Sequence, residues 1–254
     1  MASDEVSNDV LEDKEPESGL EMSFLDHLEE LRWRLIYSVI GLVVGTAISW
    51  IFIDFLVDKV LLRPARESGA ILQNLKPFGQ LFMYMEVAII AGVILSLPNL
   101  FYQFWKFLSP ALRKRERRYI WWIVIFSTLC FLLGVVFAYY IMIPLSLKFA
   151  VQFGSEAIKN QFAIDEYMSI ILSIILGAGI VFELPMISFF LTKLGILTPN
   201  FMKKYRRHAI VVIFILSAVL TPGTDPVSQM ILAVPLFFLY EISILISKFA
   251  SKKH

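Results

Sequence analysis

The sequence predicts an all-α integral membrane protein with six transmembrane helices. Hydrophobic residues make up 57% of the 254 residues and charged residues 18%, against roughly 45–50% and about 25% in soluble chains. The mean hydropathy is correspondingly high, +0.70. The charges are also spaced so that they leave runs of about 20 apolar residues, the length a helix needs to cross the hydrocarbon core. These runs lack the alternation of a strand, which excludes a transmembrane barrel.

Six apolar segments follow one another along the chain. They are residues 35–53, 81–105, 119–147, 167–192, 209–220 and 227–246. Three of them carry a single acid each, namely Glu86, Glu183 and Glu241. The fifth segment has only twelve residues, about 18 Å of helix. It either thins the bilayer locally or forms a re-entrant hairpin with the sixth segment.

The basic residues predict the orientation. If the N-terminus is cytoplasmic, 17 of the 23 lysines and arginines fall on the cytoplasmic side, as the positive-inside rule requires. Both termini are therefore expected in the cytoplasm. Residues 1–21 hold eight acids and one lysine, so we expect a disordered, solvated tail there rather than a signal or transit peptide. The membrane domain is predicted to span residues 22–249, with a short cytoplasmic tail at 250–254.

The first candidate site is the segment before the first apolar run. Residues 23–34 predict an interfacial helix that turns into the first span, because Ser23 and Asp26 have capping-box spacing. Glu29 and Glu30 extend an acidic face on this helix. Two interpretations stay open: a helix N-terminus with a local Glu30–Arg34 ion pair, or a binding site for a cationic ligand.

Two further candidates are carboxylates in unusual surroundings. Glu116 lies among five basic residues in the loop 109–118, which is otherwise typical of a positive-inside anchor. Glu183 lies within an apolar segment, where an acid is costly and marks a site by default. Pro185 cannot donate a helical hydrogen bond, so a kink and a polar notch are expected there. The alternative is a protonated glutamate that serves packing only.

A fourth candidate is the connector 221–229, which leads to Gln229 in the outer third of the membrane; most such connectors are only turns.

The chain lacks the phosphate-binding pattern GxxxxGK[ST], and its histidines stand at 27, 208 and 254. We therefore expect no enzyme, no metal and no cofactor. The single cysteine, Cys130, excludes an internal disulfide, and a net charge of +1 gives no attraction for nucleic acid.

Several blocks of residues resemble the TatC family, the receptor subunits of the twin-arginine protein translocase. They are FLDHLEELR at 24–32 followed by Arg34 and Leu35, YQFWKF at 102–107, PAL at 110–112, RERR at 115–118, FELP at 182–185, LTP at 220–222 and DPVSQ at 225–229. The blocks occur in the family's order between about residue 22 and about residue 249.

A pair of glycines, Gly41 and Gly45, adds a helix-packing signal.

The resemblance implies a concave, glove-like fold with six helices, of which the fifth and sixth are short. It implies a multi-pass protein of a prokaryotic cytoplasmic membrane that binds signal peptides carrying two consecutive arginines. Single-span subunits of the TatA and TatB type are the expected partners, and a homo-oligomer within the complex is expected. Export of folded cargo would use the proton motive force.

The resemblance also assigns roles to residues. It places twin-arginine binding at Glu30, Glu116, Arg32, Phe107, Pro110 and Leu28. It places intramembrane contact with partners or signal peptide at Glu183, Gln229 and Asp225. A carboxylate accepts the planar guanidinium bidentately, whereas lysine offers a point charge, so selectivity for arginine is expected. The basic neighbours of Glu116 oppose an incoming arginine unless they point away or pair with lipid phosphates.

Two alternatives belong to other functional classes. One is a proton-coupled small-solute transporter with Glu183 as the relay. Such proteins tend to show internal repeats and paired broken helices, and the sequence shows no second segment that mirrors the fourth. The other is a structural membrane subunit without a substrate site.

Overall fold

The structure is a computed structural model that describes residues 24–109, 120–152, 160–220 and 226–251. It consists of helices joined by short connections, with a small two-stranded sheet. The helices are α1 (Phe24–Ile51), α2 (Arg63–Ser68), α3 (Gly79–Leu108), α4 (Ile120–Phe137), α5 (Ile143–Gln152), α6 (Ile164–Phe182), α7 (Leu184–Lys193), α8 (Pro199–Lys204), α9 (Arg206–Leu220) and α10 (Pro226–Ser251). Two π-helical segments, Phe55–Leu61 and Ala138–Met142, and two strands, β1 (Ile71–Gln73) and β2 (Gln161–Ala163), complete the order. The predicted acidic tail lies outside the described residues.

Five stretches of the described chain are long and apolar enough to cross a membrane. They are His27–Ile51, Gly79–Leu108, Ile120–Gln152, Ile164–Lys193 and Leu232–Ser251. Helix α9 has 15 residues, which confirms a fifth helix shorter than a bilayer requires. The expectation of a short sixth helix is wrong, because α10 has 26 residues. The apolar run 227–246 is already 20 residues long, and the helix extends beyond it through Ser247, Lys248 and Ser251.

The start of the chain also differs from the prediction. Helix α1 runs from Phe24 to Ile51 without a break, so the expected turn between an interfacial helix 23–34 and the first span is absent. The physical reason is local: residues 24–40 contain neither glycine nor proline, and nothing interrupts the hydrogen-bond ladder. The acidic face and the span therefore belong to one rigid element.

Helix α1 packs along α3, and glycines set the distance between them. A Cβ atom added at Gly45 would lie 2.6 Å from the carbonyl oxygen of Gly92, and one at Gly92 would lie 2.4 Å from the hydroxyl oxygen of Thr46. No side chain fits between the two backbones at this point, which confirms the packing role expected of Gly45. A Cβ atom at Gly41, the other member of the predicted pair, would meet the side chain of Asn99 in α3. Only 11% of the apolar stretch of α1 is buried, so most of its surface is left for lipid or partners.

Helices α4 and α6 approach each other in the same manner. A Cβ atom at Gly134 would lie 2.6 Å from the carbonyl oxygen of Ala178. Most of the buried side chains form one cluster around α3, α6 and the π-helical segments, with members from α9 and α10. A second, smaller cluster joins Trp105, Ile123, Met186 and neighbours. These contacts fix the elements that form the candidate site.

Both described ends of the chain lie at the same end of the molecule. The ring of His27 in α1 stacks on Phe107 at a centroid distance of 4.5 Å, and Trp105 meets Phe190 at 5.0 Å. The hydroxyl oxygens of Thr192 and Ser247 are 2.7 Å apart. We call this end of the molecule the basic end, because basic residues predicted to be cytoplasmic lie close in sequence to the residues that make these contacts.

At the opposite end, tyrosine hydroxyls satisfy carbonyls near the end of the first π-helical segment. The hydroxyl of Tyr139 donates to the carbonyl of Val60 at 2.9 Å. The hydroxyl of Tyr167 donates to the carbonyl of Leu61 at 2.8 Å. The two long helical stretches that supply these tyrosines are thereby tied to the first π-helical segment.

The two strands join the connections that precede α3 and α6. They pair in parallel, with Ile71 opposite Gln161. Lys76 forms an ion pair with Asp165 next to this pairing. The hydrogen bond from Lys76 to the Asp165 carboxylate raises the pKa of the ammonium group, so the lysine stays charged at neutral pH.

Candidate functional site

An apolar groove runs from the basic end of the molecule into the membrane region. It encloses a cavity of about 500 Å³ between α1, α3, α4, α6 and α7. Its wall is almost wholly apolar, and the polar side chains that line it are Arg34, Ser38, Gln103 and Glu183. The groove therefore suits an apolar segment with a polar or cationic end.

At the basic end of the groove, Glu30 and Arg34 form an ion pair. The distance from Arg34 Nη2 to Glu30 Oε1 is 3.0 Å, and the exposed fraction of each side chain is 19%. The other guanidinium nitrogen, Nη1, donates to Oε1 of Gln103 at 3.3 Å. Gln103 donates in turn to Asn99 at 3.3 Å, and Asn99 donates to the carbonyl of Tyr37 at 3.1 Å. This polar chain crosses between α1 and α3.

The Glu30–Arg34 pair is only half satisfied. Glu30 Oε2 and Arg34 Nε are buried and have no hydrogen-bond partner among the described residues. A guanidinium and a carboxylate form two parallel hydrogen bonds when they meet side on, and this pair makes one. The carboxylate consequently keeps an unused acceptor, and Glu30 remains a candidate binding group rather than a fully satisfied structural one.

The other predicted residues at this end vary in exposure. The Phe107 ring is stacked on His27 and lines the groove, so it is placed beside the acidic pair. Leu28 is 45% exposed, and Arg32 is exposed on α1. Exposed side chains there remain available to a ligand that approaches along α1.

Glu183 lies deep in the same groove. It occupies the break between α6 and α7, where its backbone N–H donates to Ile180 at 3.1 Å and its carbonyl accepts from Ile187 at 2.9 Å. The interruption of the helix at this residue agrees with the break expected from Pro185, and Glu183 is buried, with 7% exposed. Its Oε1 has no hydrogen-bond partner among the described residues, while the Ser127 hydroxyl lies next to the carboxyl group. That hydroxyl already accepts from Trp105 at 3.1 Å.

Gln229 lies elsewhere, near the start of α10. Its side-chain amide donates to the carbonyl of Phe214 in α9 at 2.9 Å, so it ties the α9–α10 pair together and does not line the groove. Pro110, Glu116 and Asp225 lie outside the described residues. The part of the chain that is described holds no group of three or more metal-ligating side chains.

Residue-based reasoning missed three members of the site. From the sequence, Arg34 is only a local ion-pair partner of Glu30, and no pattern assigns a role to Asn99 or Gln103. The available signal was the spacing of Asn99 and Gln103, two amides one helical turn apart in an apolar segment, since such a pair marks one polar stripe on a helix.

Comparisons with known proteins agree on one family. The family model described as "Sec-independent protein translocase protein (TatC)" matches residues 26–235. The TatC protein of Carboxydothermus hydrogenoformans is 36% identical over 91% of this chain and 95% of its own length. The TatC protein of Aquifex aeolicus is 36% identical over 91% of this chain and 97% of its own length. A crystal structure of the twin-arginine translocase receptor TatC superposes with a TM-score of 0.76 at 36% identity, covering 89% of this chain and 99% of that one.

Proposed function

Because this chain belongs to the TatC family of Sec-independent protein translocase proteins, we propose that it is the subunit that receives twin-arginine signal peptides. The two arginines bind at Glu30 and Glu116, and the apolar part of the signal peptide lies in the groove towards Glu183. Arg32, Phe107, Pro110 and Leu28 complete the cytoplasmic part of this site. Glu183, Gln229 and Asp225 contact partners or the peptide within the membrane.

One observation carries the proposal: a single groove is lined by Arg34, the ion-pair partner of Glu30, and by Glu183. A signal peptide presents charge and then an apolar stretch, and the groove presents an acid at its end and then an apolar wall. The unpartnered Oε2 of Glu30 supplies an acceptor that a second hydrogen bond from an arginine satisfies. Burial of an apolar stretch contributes roughly 25 cal/mol per Å², which supports binding once the charge is matched.

The proposal includes the setting of the protein. The basic end faces the cytoplasm, so both termini are cytoplasmic, and the protein lies in the cytoplasmic membrane of a prokaryote. The largely exposed α1 provides a surface for single-span TatA- and TatB-type subunits or for further copies of the chain. Export is driven by the proton motive force. The apolar wall of the groove does not favour the small-solute transporter, because a hydrated solute would leave its polar groups unpaired there.

Binding of a labelled signal peptide to the protein in nanodiscs tests the proposal. We expect an Arg-Arg peptide to bind about tenfold or more tightly than its Lys-Lys counterpart, since each lost charge-assisted hydrogen bond is worth about 1.5–3 kcal/mol. Glu30→Gln and Glu116→Gln are expected to reduce the preference. Glu29→Gln is the matched control, because Glu29 is an exposed acid next to Glu30 on the same helix.

Equal binding of the two peptides by the wild-type protein would contradict the proposed recognition. Loss of the preference in the Glu29 variant to the same extent as in the Glu30 variant would show that only the net charge of α1 matters. Retention of the preference in both the Glu30 and Glu116 variants would place the site elsewhere.

A further inference from the structure

The guanidinium of Arg34 occupies the position in which the proposed function places an arginine of the signal peptide. It contacts Glu30 at 3.0 Å through a single nitrogen, although both side chains are largely buried. We propose that Arg34 is an internal competitor that an incoming arginine must displace from Glu30, and that it thereby sets the affinity threshold of the receptor. This inference rests on the proposed function.

The Glu30–Arg34 ion pair can be replaced by a better one. Arg34 leaves its Nε and the Oε2 of Glu30 without partners, so the free receptor keeps two buried polar atoms unsatisfied. An incoming guanidinium that meets the carboxylate side on satisfies both oxygens. Displacement therefore exchanges one hydrogen bond for two at the carboxylate.

The hydrogen bond to Gln103 can hold the Arg34 side chain after it has left Glu30. Arg34 Nη1 is already bonded to Gln103 at 3.3 Å, and Gln103 is 8% exposed and held by Asn99. Arg34 also lines the groove, so its side chain can turn into the groove without losing this bond. The cost of displacement is then the Glu30 contact alone.

Competition of this kind acts equally on every ligand. When the closed pair dominates, the apparent affinity falls by the fraction of receptor that is open. Arg-Arg and Lys-Lys peptides lose the same factor, so Arg34 leaves their ratio unchanged. Because both affinities fall by this factor, the weaker Lys-Lys peptide no longer binds at concentrations at which the Arg-Arg peptide still does.

The test is a double-mutant cycle in the nanodisc binding assay with full-length protein. We expect Arg34→Gln to tighten both peptides by a common factor of about three to ten, the range expected for a partly buried pair. In the Glu30→Gln background the same substitution should change binding by less than about twofold, because no pair is left to displace. Arg34→Lys keeps the charge but not the reach to both Glu30 and Gln103, and should tighten binding about twofold if Arg34→Gln does not purify in folded form.

Three outcomes would overturn the inference. Weaker binding by Arg34→Gln would make Arg34 a ligand contact. Equal tightening in the wild-type and Glu30→Gln backgrounds would reduce its effect to general charge repulsion. A change in the ratio of the two peptides would contradict simple competition. If the wild-type protein does not prefer Arg-Arg, the proposed function fails first and independently.

Discussion

We expect the Glu183→Leu substitution to stabilise the isolated protein and to impair its assembly. Glu183 is 7% exposed and one of its carboxyl oxygens has no partner. An acid at the centre of a membrane helix costs about 2.5–3.5 kcal/mol, whereas leucine is favourable by about 0.3–0.6 kcal/mol. The groove beside Glu183 has room for the branched side chain. Since the Ser127 hydroxyl offsets part of the penalty, we expect a gain of about 1–3 kcal/mol.

Thermal unfolding in detergent, followed by tryptophan fluorescence, measures this gain. For a chain of this size each kcal/mol shifts Tm by about 2–4 °C, so Tm should rise by about 2–12 °C. Copurification of a TatB-type partner should fall at the same time, because the proposed function makes Glu183 the polar group that the partner contacts. Glu183→Gln should retain part of the partner binding, since the amide can still hydrogen bond.

Glu86→Leu is the matched control, because Glu86 is a half-buried acid in α3 that does not line the groove. It should leave partner binding unchanged. A Tm for Glu183→Leu that lies below the wild-type value would refute the reasoning, since the carboxyl group would then be a net stabilising hydrogen-bond partner. Unchanged copurification of the partner would separately refute the role of Glu183 in partner binding.

Three further predictions concern the scaffold. Tyr139→Phe should lower the free energy of unfolding by about 0.5–1.5 kcal/mol, because it removes the hydrogen bond to the Val60 carbonyl; an unchanged free energy of unfolding in denaturant titrations would contradict this. Gly134→Leu should prevent the close approach of α4 and α6, so that the protein elutes as aggregate in size-exclusion chromatography, and a monodisperse variant with wild-type Tm would show that the helices can separate. Lys76→Met should lower Tm by an amount that is constant from neutral pH up to pH 10.5 and is lost above it, because the pKa of the ammonium is raised by Asp165 and the contribution disappears as the lysine deprotonates; a difference that grows as the pH rises would have the wrong sign.

The spans were predictable because charge is excluded from them. The apolar runs locate the helices to within a few residues, and Pro185 located the break at Glu183, because a missing N–H acts locally. The failures have separate causes. The continuity of α1 depends on polar residues that extend a helix beyond its apolar run, and hydropathy says nothing about them. The short sixth helix was implied by the resemblance alone, whereas the apolar run 227–246 is long enough to span a bilayer. The pairing of β1 with β2 depends on contacts about 90 residues apart.

The site was predictable in its acids but not in its connections. Glu30 and Glu183 stood out because a carboxylate near or within an apolar run is expensive. That Arg34, the partner of Glu30, and Glu183 line one groove depends on the packing of α1 against α3, which no periodicity reveals. The bond between Arg34 and Gln103 joins residues 69 positions apart, so the sequence alone left Arg34 paired with its neighbour on the same helix.

The mounting of α1 has a mechanical consequence. Neither buried cluster of the described residues includes a residue of α1, and its closest support is the glycine contact with α3. The stacking of His27 on Phe107 and the bond between Arg34 and Gln103 tie the acidic half of the helix to α3 as well. These contacts are spread from His27 to Gly45, about 27 Å of helix axis, so α1 moves together with α3. A load on the acidic end is therefore transmitted to α3, which supplies one wall of the groove.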